Sequence, residues 1–272
     1  MTVDGELRSF TSGDGELAYR DLGSGDPVVL LHPGFLDHRF HDGHLPALAA
    51  AGHRVIAPDA RGHGRSANGT RPFRWADDLA ALLRHLDTGP AVLVGVSMGG
   101  AIATDTALEH PDLVRALVVC GAVTSQFTYT DPWAVDVQSA FLGALAAGDA
   151  ERWLAEFLRF APGPHRTFDQ VDPELLDRIG EMARHTLAKH APGETDHRVP
   201  VTDTRARIAR VTVPVLVVNG ALDSPDLLAE GAELARTVPH GRSRVIPDAA
   251  HYAPLERPEA FLAVLGDFLR GL

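Results

Sequence analysis

Residues 91–103 read AVLVGVSMGGAIA, an apolar run followed by a serine between glycines and then by a helix-like segment. The run predicts a buried strand and the next segment predicts a helix, so Ser97 lies where a strand turns sharply into a helix. Such a turn strains the serine backbone, and a side chain at Gly95 or Gly99 would collide with the neighbouring strand and helix. The pattern is typical of a nucleophile elbow, which exposes a serine hydroxyl. The alternative is a glycine-rich turn with an incidental serine.

A serine hydroxyl is too weak an acid to attack a carbonyl unaided, so it needs a histidine base and a carboxylate that orients the histidine. Asp223 follows the apolar run 213–218, and His251 follows the run 243–246. Because ligands of open parallel sheets bind at the carboxyl ends of the strands, we expect these two residues and Ser97 to meet at one edge of a sheet. The sequence therefore predicts a Ser-His-Asp catalytic triad. The alternatives are a surface histidine and an aspartate that caps a helix.

Apolar runs of strand length alternate with amphipathic segments along the chain. Continuous apolar runs are typical of strands covered on both faces, which indicates an α/β fold with a mostly parallel, doubly wound sheet. The predicted strands are 16–21, 27–31, 54–57, 91–94, 116–119, 213–218 and 243–246, and the predicted helices are 45–51, 75–86, 101–109, 226–236 and 258–269.

The strand rhythm stops between residues 124 and 210, where helix-like stretches rich in aromatic residues follow one another. A long interruption inside a compact fold is typical of a binding element. We predict a helical lid, or cap, at 124–210, inserted after the sixth strand, and a catalytic core formed by 1–123 and 211–272. The expected substrate pocket is apolar and is lined by Phe35, Trp133, Phe141, Phe157 and Tyr252.

The negative charge that develops on an attacked carbonyl oxygen needs hydrogen-bond donors held in place beforehand. The backbone N–H of Met98, at the start of the helix after the elbow, is one candidate. The second is expected in the loop His32-Pro33-Gly34-Phe35, which follows an earlier predicted strand. The amide of Gly34 is predicted as that donor, with Phe35 as the alternative. His32 is interpreted as a residue that braces the loop.

The composition favours a soluble protein that acts on small molecules. Of 272 residues, 45% are hydrophobic and 22% are charged, and no run reaches the roughly eighteen apolar residues of a membrane helix. The net charge of −11 repels nucleic acid and anionic lipid, so a small-molecule substrate is the expected partner. Formation of a homo-oligomer is left open. No basic or apolar leader precedes the first strand, which predicts a cytoplasmic protein.

The single cysteine, Cys120, lies in an apolar run and is interpreted as a buried structural thiol. No phosphate-binding loop is present, so no cofactor is expected. His38, His41 and His44 have helical spacing but lack the signature of a metal site, so no metal is expected.

Five short motifs occur in an order that one enzyme family shares. They are H-P-G-F at 32–35, D-A-R-G-H-G-R-S at 59–66, G-V-S-M-G-G at 95–100, G-A-L-D at 220–223 and A-H at 250–251. With them the chain resembles, over essentially its whole length, the α/β-hydrolase fold superfamily. It is similar to the branch that holds carboxylesterases, enol-lactone hydrolases, carbon–carbon bond hydrolases and cofactor-free haloperoxidases. Pro33 is a departure, because the family usually has glycine there and proline lacks an N–H.

The resemblance implies a serine hydrolase that acts on an ester, lactone or thioester of a small to medium apolar molecule through an acyl-enzyme. A cofactor-free perhydrolase or haloperoxidase, or a carbon–carbon bond hydrolase, would use the same triad. A non-catalytic ligand-binding module of this fold is a further alternative.

Overall fold

The structure, a computed structural model, describes residues 6–121, 124–191 and 193–272. Its strands are β1 (Leu7–Ser12), β2 (Gly15–Gly23), β3 (Asp26–Leu31), β4 (His53–Pro58), β5 (Ala91–Val96), β6 (Val114–Cys120), β7 (Val215–Gly220) and β8 (Gly241–Ile246). They form one sheet in the order β1-β2-β4-β3-β5-β6-β7-β8.

Strands β3 to β8 run parallel, whereas β1 and β2 join antiparallel at one side of the sheet. Every residue of β5 and β7 is buried, because helices cover the middle of the sheet on both faces. The predicted α/β fold with a mostly parallel sheet is confirmed.

Strand β1 is absent from the sequence-based prediction. Only Phe10 of this strand is buried, because the strand lies at the edge of the sheet, and it therefore has no apolar run. It forms a hairpin with β2 in which Ser12 pairs with Gly15. The two residues between them, Gly13-Asp14, are a hairpin signal that was available in the sequence.

The helices are α1 (His44–Ala50), α2 (Trp75–His85), α3 (Met98–Glu109), α4 (Pro132–Ala146), α5 (Ala150–Leu158), α6 (Pro173–Leu187), α7 (Thr204–Arg207), α8 (Pro225–Thr237), α9 (Ala253–Glu256) and α10 (Pro258–Arg270). Helices α1 and α10 bury apolar side chains on one face of the sheet, and α2, α3 and α8 bury theirs on the other. All five helices predicted outside the lid are present. Across the described ranges, none of the helices has the length and apolar character needed to cross a membrane.

Helices α4, α5 and α6, which we call the cap helices, lie in the chain between β6 and β7. Each begins after an aspartate, Asp131, Asp149 or Asp172, whose side chain accepts a backbone N–H of the first turn at 2.9 to 3.0 Å. The helical character of this region matches the prediction, whereas a lid function and the boundaries 124–210 stay predictions. Residues 1–5, 122, 123 and 192 of the predicted core and lid lie outside the described residues.

Histidines are buried around the sheet as neutral rings. Burial lowers the pKa of His44 to about 4 and that of His63 to about 3, because the charged imidazolium would lose its hydration. Burial also lowers the pKa of His41 well below its ordinary value. His44 Nε2 lies 2.9 Å from the carbonyl oxygen of Pro254, and His63 Nδ1 lies 3.1 Å from that of Arg61. One ring nitrogen of each therefore donates to a backbone carbonyl.

Candidate active site

Ser97 occupies the turn between β5 and α3. Its φ of 52° and ψ of −120° lie in a region that residues other than glycine rarely adopt. Its N–H donates to the carbonyl of Cys120 on β6 at 2.7 Å, and its own carbonyl accepts the N–H of Ala101 at 3.1 Å. The backbone is thus held from two sides while the residue stays partly exposed. The structure places Ser97 on the predicted strand-to-helix elbow.

Two glycines allow the chain to pass this closely. A β-carbon on Gly95 would lie 2.1 Å from the carbonyl oxygen of Gly99, and one on Gly99 would lie 2.2 Å from the carbonyl oxygen of Leu31. Both distances are far below van der Waals contact, and both obstacles are backbone atoms that cannot rotate away in a densely packed interior. Glycine is therefore required at both positions.

Gly99→Ala is expected to lower the free energy of unfolding by roughly 2 to 4 kcal/mol, because α3 must move away from the end of β3. Urea denaturation followed by circular dichroism measures the change. Gly143→Ala in α4 is the matched control, since a β-carbon there meets no atom within 4 Å. Alanine in a helix is expected to add about 0.5 to 1 kcal/mol. An unchanged denaturation midpoint for Gly99→Ala would contradict the close approach.

His251 and Asp223 form a buried hydrogen-bonded pair. His251 Nδ1 lies 3.1 Å from Asp223 Oδ2 and 3.2 Å from Oδ1, and the two side chains are only 5% and 2% exposed. Because both carboxylate oxygens are acceptors, Nδ1 of the neutral ring carries the proton and Nε2 keeps its lone pair. The N–H of Ser224 donates to Asp223 Oδ1 at 2.8 Å and holds the carboxylate in this orientation.

The loops that carry these two residues are joined to each other. We call residues 221–224 the acid loop and residues 247–251 the histidine loop. The N–H of Leu222 in the acid loop donates to the carbonyl of Ala249 in the histidine loop at 2.9 Å. Since β7 and β8 are neighbouring parallel strands, both loops leave the sheet at the same edge.

Gly121, at the end of β6, connects this pair with the elbow. A β-carbon on Gly121 would lie 2.9 Å from His251 Cε1 and 3.3 Å from Asp223 Oδ2. The preceding residue, Cys120, accepts the Ser97 N–H. The structure therefore brings His251 and Asp223 into direct contact beside Gly121, and it holds Ser97 at the same edge of the sheet through Cys120.

A loop after β3 lies beside the elbow and is braced by His32. Burial lowers the pKa of His32, so the ring is neutral. Its Nε2 accepts the N–H of Ala60 at 2.9 Å, and its Nδ1 donates to the carbonyl of Pro33 at 2.8 Å. The same carbonyl accepts the N–H of Leu36 at 3.2 Å. His32 thus has the bracing position that the sequence predicted.

Fixing the Pro33 carbonyl also fixes the next N–H. The Pro33–Gly34 peptide is trans, so the N–H of Gly34 points away from the braced carbonyl. A β-carbon on Gly34 would lie 3.7 Å from Met98 Cβ, so the loop lies against the start of α3. Within the described residues, no backbone carbonyl accepts the N–H of Gly34 or of Met98. Among the same residues, no backbone carbonyl accepts the N–H of Phe35 either, so the choice between Gly34 and Phe35 as the second donor stays a prediction. Both predicted donors follow Pro33 in the chain, so neither prediction needs an N–H at position 33.

The family model for the alpha/beta hydrolase fold matches residues 27–258. The chain belongs to this family. A Mycobacterium tuberculosis protein named as a non-heme bromoperoxidase is 34% identical over 256 residues, which cover 90% of this chain and 94% of the relative. The 3-oxoadipate enol-lactonase 2 of Acinetobacter baylyi is 30% identical over 216 residues, covering 76% and 75%. A solved thermophilic esterase from Thermogutta terrifontis has a TM-score of 0.78 and 28% identity, with 98% of each chain covered.

The resemblance inferred from the motifs is confirmed, and so is the prediction that the chain is an enzyme of this family. The names of the relatives divide among esterase, lactonase and peroxidase, although the fold is shared. Fold alone does not assign a reaction, so the reaction has to be argued from the site.

In this α/β hydrolase a row of aromatic rings links the loop after β3 with the histidine loop. The ring centroids are 4.8 Å apart between Phe35 and Trp153, and 5.1 Å apart between Trp153 and Phe157. The row continues from Phe157 to Phe160 at 6.3 Å and from Phe160 to His251 at 5.4 Å. We call Phe35, Trp153, Phe157 and Phe160 the aromatic row.

The residues predicted to line the pocket lie in or around this row. Phe35 and Phe157 belong to it, Phe141 contacts Phe157, Trp133 contacts Phe160, and Tyr252 contacts His251. Which of them contact a substrate stays a prediction. Trp153 and Phe160 also belong to the aromatic row, although the sequence analysis did not single them out. The spacing of Trp153, Phe157 and Phe160, which repeats at helical intervals, was the available signal.

The ligand atoms of Asp37, His38 and Asp59 lie within 4.8 Å of one another, close enough to hold a cation. Protein donors already engage them, however. Asp59 accepts the backbone N–H groups of His38 and Arg65, each at 2.7 Å, and His38 Nδ1 lies 2.9 Å from it. Asp37 is paired with Arg39 at 2.8 Å. This cluster is a hydrogen-bonded ion-pair network beside the loop after β3.

Proposed function

We propose that this enzyme is a serine hydrolase that cleaves an ester, lactone or thioester through an acyl-enzyme on Ser97. The observation that carries the proposal is the buried His251–Asp223 hydrogen bond beside Gly121, the residue after Cys120, whose carbonyl accepts the Ser97 N–H. A carboxylate on Nδ1 leaves Nε2 free as a base, which is what a serine nucleophile needs.

In the proposed acylation, Ser97 Oγ forms a bond to the substrate carbonyl carbon while His251 Nε2 takes the hydroxyl proton. The N–H groups of Gly34 and Met98 donate to the oxygen that becomes negative. The bond from the carbonyl carbon to the leaving oxygen or sulfur then breaks, and His251 passes the proton to the leaving atom. Asp223 stabilises the imidazolium in between.

In the proposed deacylation, water enters and gives a proton to His251 Nε2 as its oxygen bonds to the acyl carbon. The bond between that carbon and Ser97 Oγ breaks, and Oγ regains the proton. The product is a carboxylic acid, and the protein returns to its starting state.

The aromatic row supports a neutral, apolar acyl group as the substrate. An acidic substrate would need a cation that is free to pair with it. Arg159, which precedes Phe160 of the row, is already paired with Glu156 and Asp136, each at 2.8 Å. Arg152 of α5 is exposed to solvent, whereas the neighbouring Trp153 of the row is buried. A small-molecule partner and residence in the cytoplasm stay predictions of the sequence.

Perhydrolysis is the second candidate, because the name of the Mycobacterium tuberculosis relative favours it. Hydrogen peroxide would replace water, so that a peroxide oxygen bonds to the acyl carbon and a peracid leaves as Ser97 is regenerated. Peracid formation from acetate and hydrogen peroxide, measured against release of acid from an ester in water, separates the two reactions.

Incubation with a fluorophosphonate probe is expected to add one adduct per folded chain, on Ser97. Intact-mass analysis followed by peptide mapping measures the adduct, and heat-denatured protein is the control. The labelled enzyme should lose its hydrolysis of p-nitrophenyl butyrate in proportion to the adduct. A folded chain that takes no adduct but binds a small apolar ligand would overturn the proposal in favour of a binding module.

A further inference from the structure

Glu256, in α9, binds the backbone of the histidine loop through a hydrogen bond. Its side chain is only 5% exposed, and its Oε1 accepts the backbone N–H of Ala250 at 2.9 Å. Ala250 immediately precedes His251. The other oxygen, Oε2, lies 2.6 Å from Nη2 of Arg166, whose side chain is 12% exposed. One buried carboxylate therefore binds both the histidine loop and a residue that follows α5.

Arg166 in turn holds the end of the aromatic row. Its Nη2 also donates to the carbonyl of Ala161 at 2.9 Å, and its Nε donates to the carbonyl of Pro162 at 3.1 Å. These carbonyls directly follow Phe160, whose ring contacts His251. Within the described part of the chain, the hydrogen bonds of this guanidinium go to the turn that carries Phe160 and to the carboxylate that holds the histidine loop.

Two constraints therefore converge on the His251 imidazole. The backbone is held through Ala250 by Glu256, and the ring is backed by Phe160, whose turn is held by Arg166. A buried ion pair is weak evidence for stability, because desolvation opposes the attraction, but such pairs can fix geometry. Proton transfer is sensitive to misplacement of this kind, since a shift of about 1 Å can cost roughly 100-fold in rate.

We propose that Glu256 and Arg166 are positioning residues for His251, through which the turn after α5 and the histidine loop are held as one unit. The inference rests on the proposed function, because it assigns them a role through the base of that reaction. Since the aromatic row between Phe35 and Phe157 does not depend on either residue, their loss should affect the chemical step more than substrate binding.

The test uses steady-state hydrolysis of p-nitrophenyl butyrate by the full-length variants. Glu256→Ala is expected to lower kcat by roughly 10- to 100-fold while KM changes less than about threefold. Glu256→Gln keeps an oxygen for the Ala250 N–H and should lose less than Glu256→Ala. Arg166→Lys should likewise retain more kcat than Arg166→Met. The rate of fluorophosphonate labelling should fall in the same order as kcat.

Glu233→Gln and Arg236→Met supply the control, because that Glu–Arg pair lies on α8 with side chains 53% and 68% exposed. They should leave kcat unchanged. If Glu256→Ala fails to fold, Glu256→Gln and Arg166→Lys carry the test. Folded variants with lower melting temperature but full kcat, or with KM raised as much as kcat is lowered, would overturn the inference and leave the proposed function standing. Failure of the natural enzyme to take the probe would overturn both.

Discussion

Ser97→Ala will hydrolyse p-nitrophenyl butyrate at least roughly 10⁴-fold more slowly than the natural enzyme. The substitution removes the only atom that forms the acyl-enzyme, while the aromatic row and the N–H groups of Gly34 and Met98 stay in place. Binding should therefore survive. A product-like carboxylic acid should bind the variant with a Kd close to that of the natural enzyme, as measured by calorimetry.

The fold should not change with this substitution. Ser97 is held through its backbone N–H and carbonyl, which alanine retains, and alanine is no more strained than serine at a φ of 52°. Ser139→Ala, on the exposed side of α4, is the control and should keep full activity. Turnover by Ser97→Ala at the natural rate would remove Ser97 from the mechanism.

Asp223→Asn is expected to lower kcat by roughly 10³- to 10⁴-fold with an intact fold. An asparagine oxygen can still accept the N–H of Ser224, which keeps the acid loop in place. The amide nitrogen, however, is a donor. Turned toward His251, it would favour the tautomer whose proton sits on Nε2, so the ring could no longer accept the proton of Ser97. Steady-state kinetics on the same ester measures the loss.

The control for this variant is Asp267→Asn on α10, whose side chain is 79% exposed and should not affect kcat. Fluorophosphonate labelling of Asp223→Asn should slow by about the same factor as turnover, because both need the base. A variant that labels and turns over like the natural enzyme would show that Asp223 does not orient His251.

Much of the sheet was predictable because burial on both faces leaves a continuous apolar run, as in β5 and β7. The elbow was predictable because a sharp strand-to-helix turn leaves no room for a side chain two residues before or two residues after the serine. The sequence has glycine at both positions, Gly95 and Gly99. Strand β1 was not found because an edge strand buries one side chain, Phe10, and its apolar pattern is correspondingly weak.

The supports of the site were harder to predict. Glu256 and Arg166 are 90 residues apart, and nothing local to either indicates that they meet. The bracing of the loop after β3 by His32 depends on a contact with Ala60, 28 residues away, which requires the fold. The helical spacing of Trp153 and Phe157 indicates that they share a face of α5, but which way this face turns is set by packing against the core and could not be predicted.

The neutral histidines buried around the sheet restrict where this enzyme can work. In an unfolded chain such side chains have a pKa of about 6.5, whereas in the fold that of His44 is about 4 and that of His63 is about 3. At a pH between the folded and the unfolded pKa, the unfolded chain binds protons that the native state does not. The free energy of unfolding therefore falls as the pH drops below about 6.5, and it continues to fall toward pH 3 to 4. At pH 5, His44 alone accounts for on the order of 2 kcal/mol. In an acidified compartment the native structure would therefore be less stable, whichever substrate was offered.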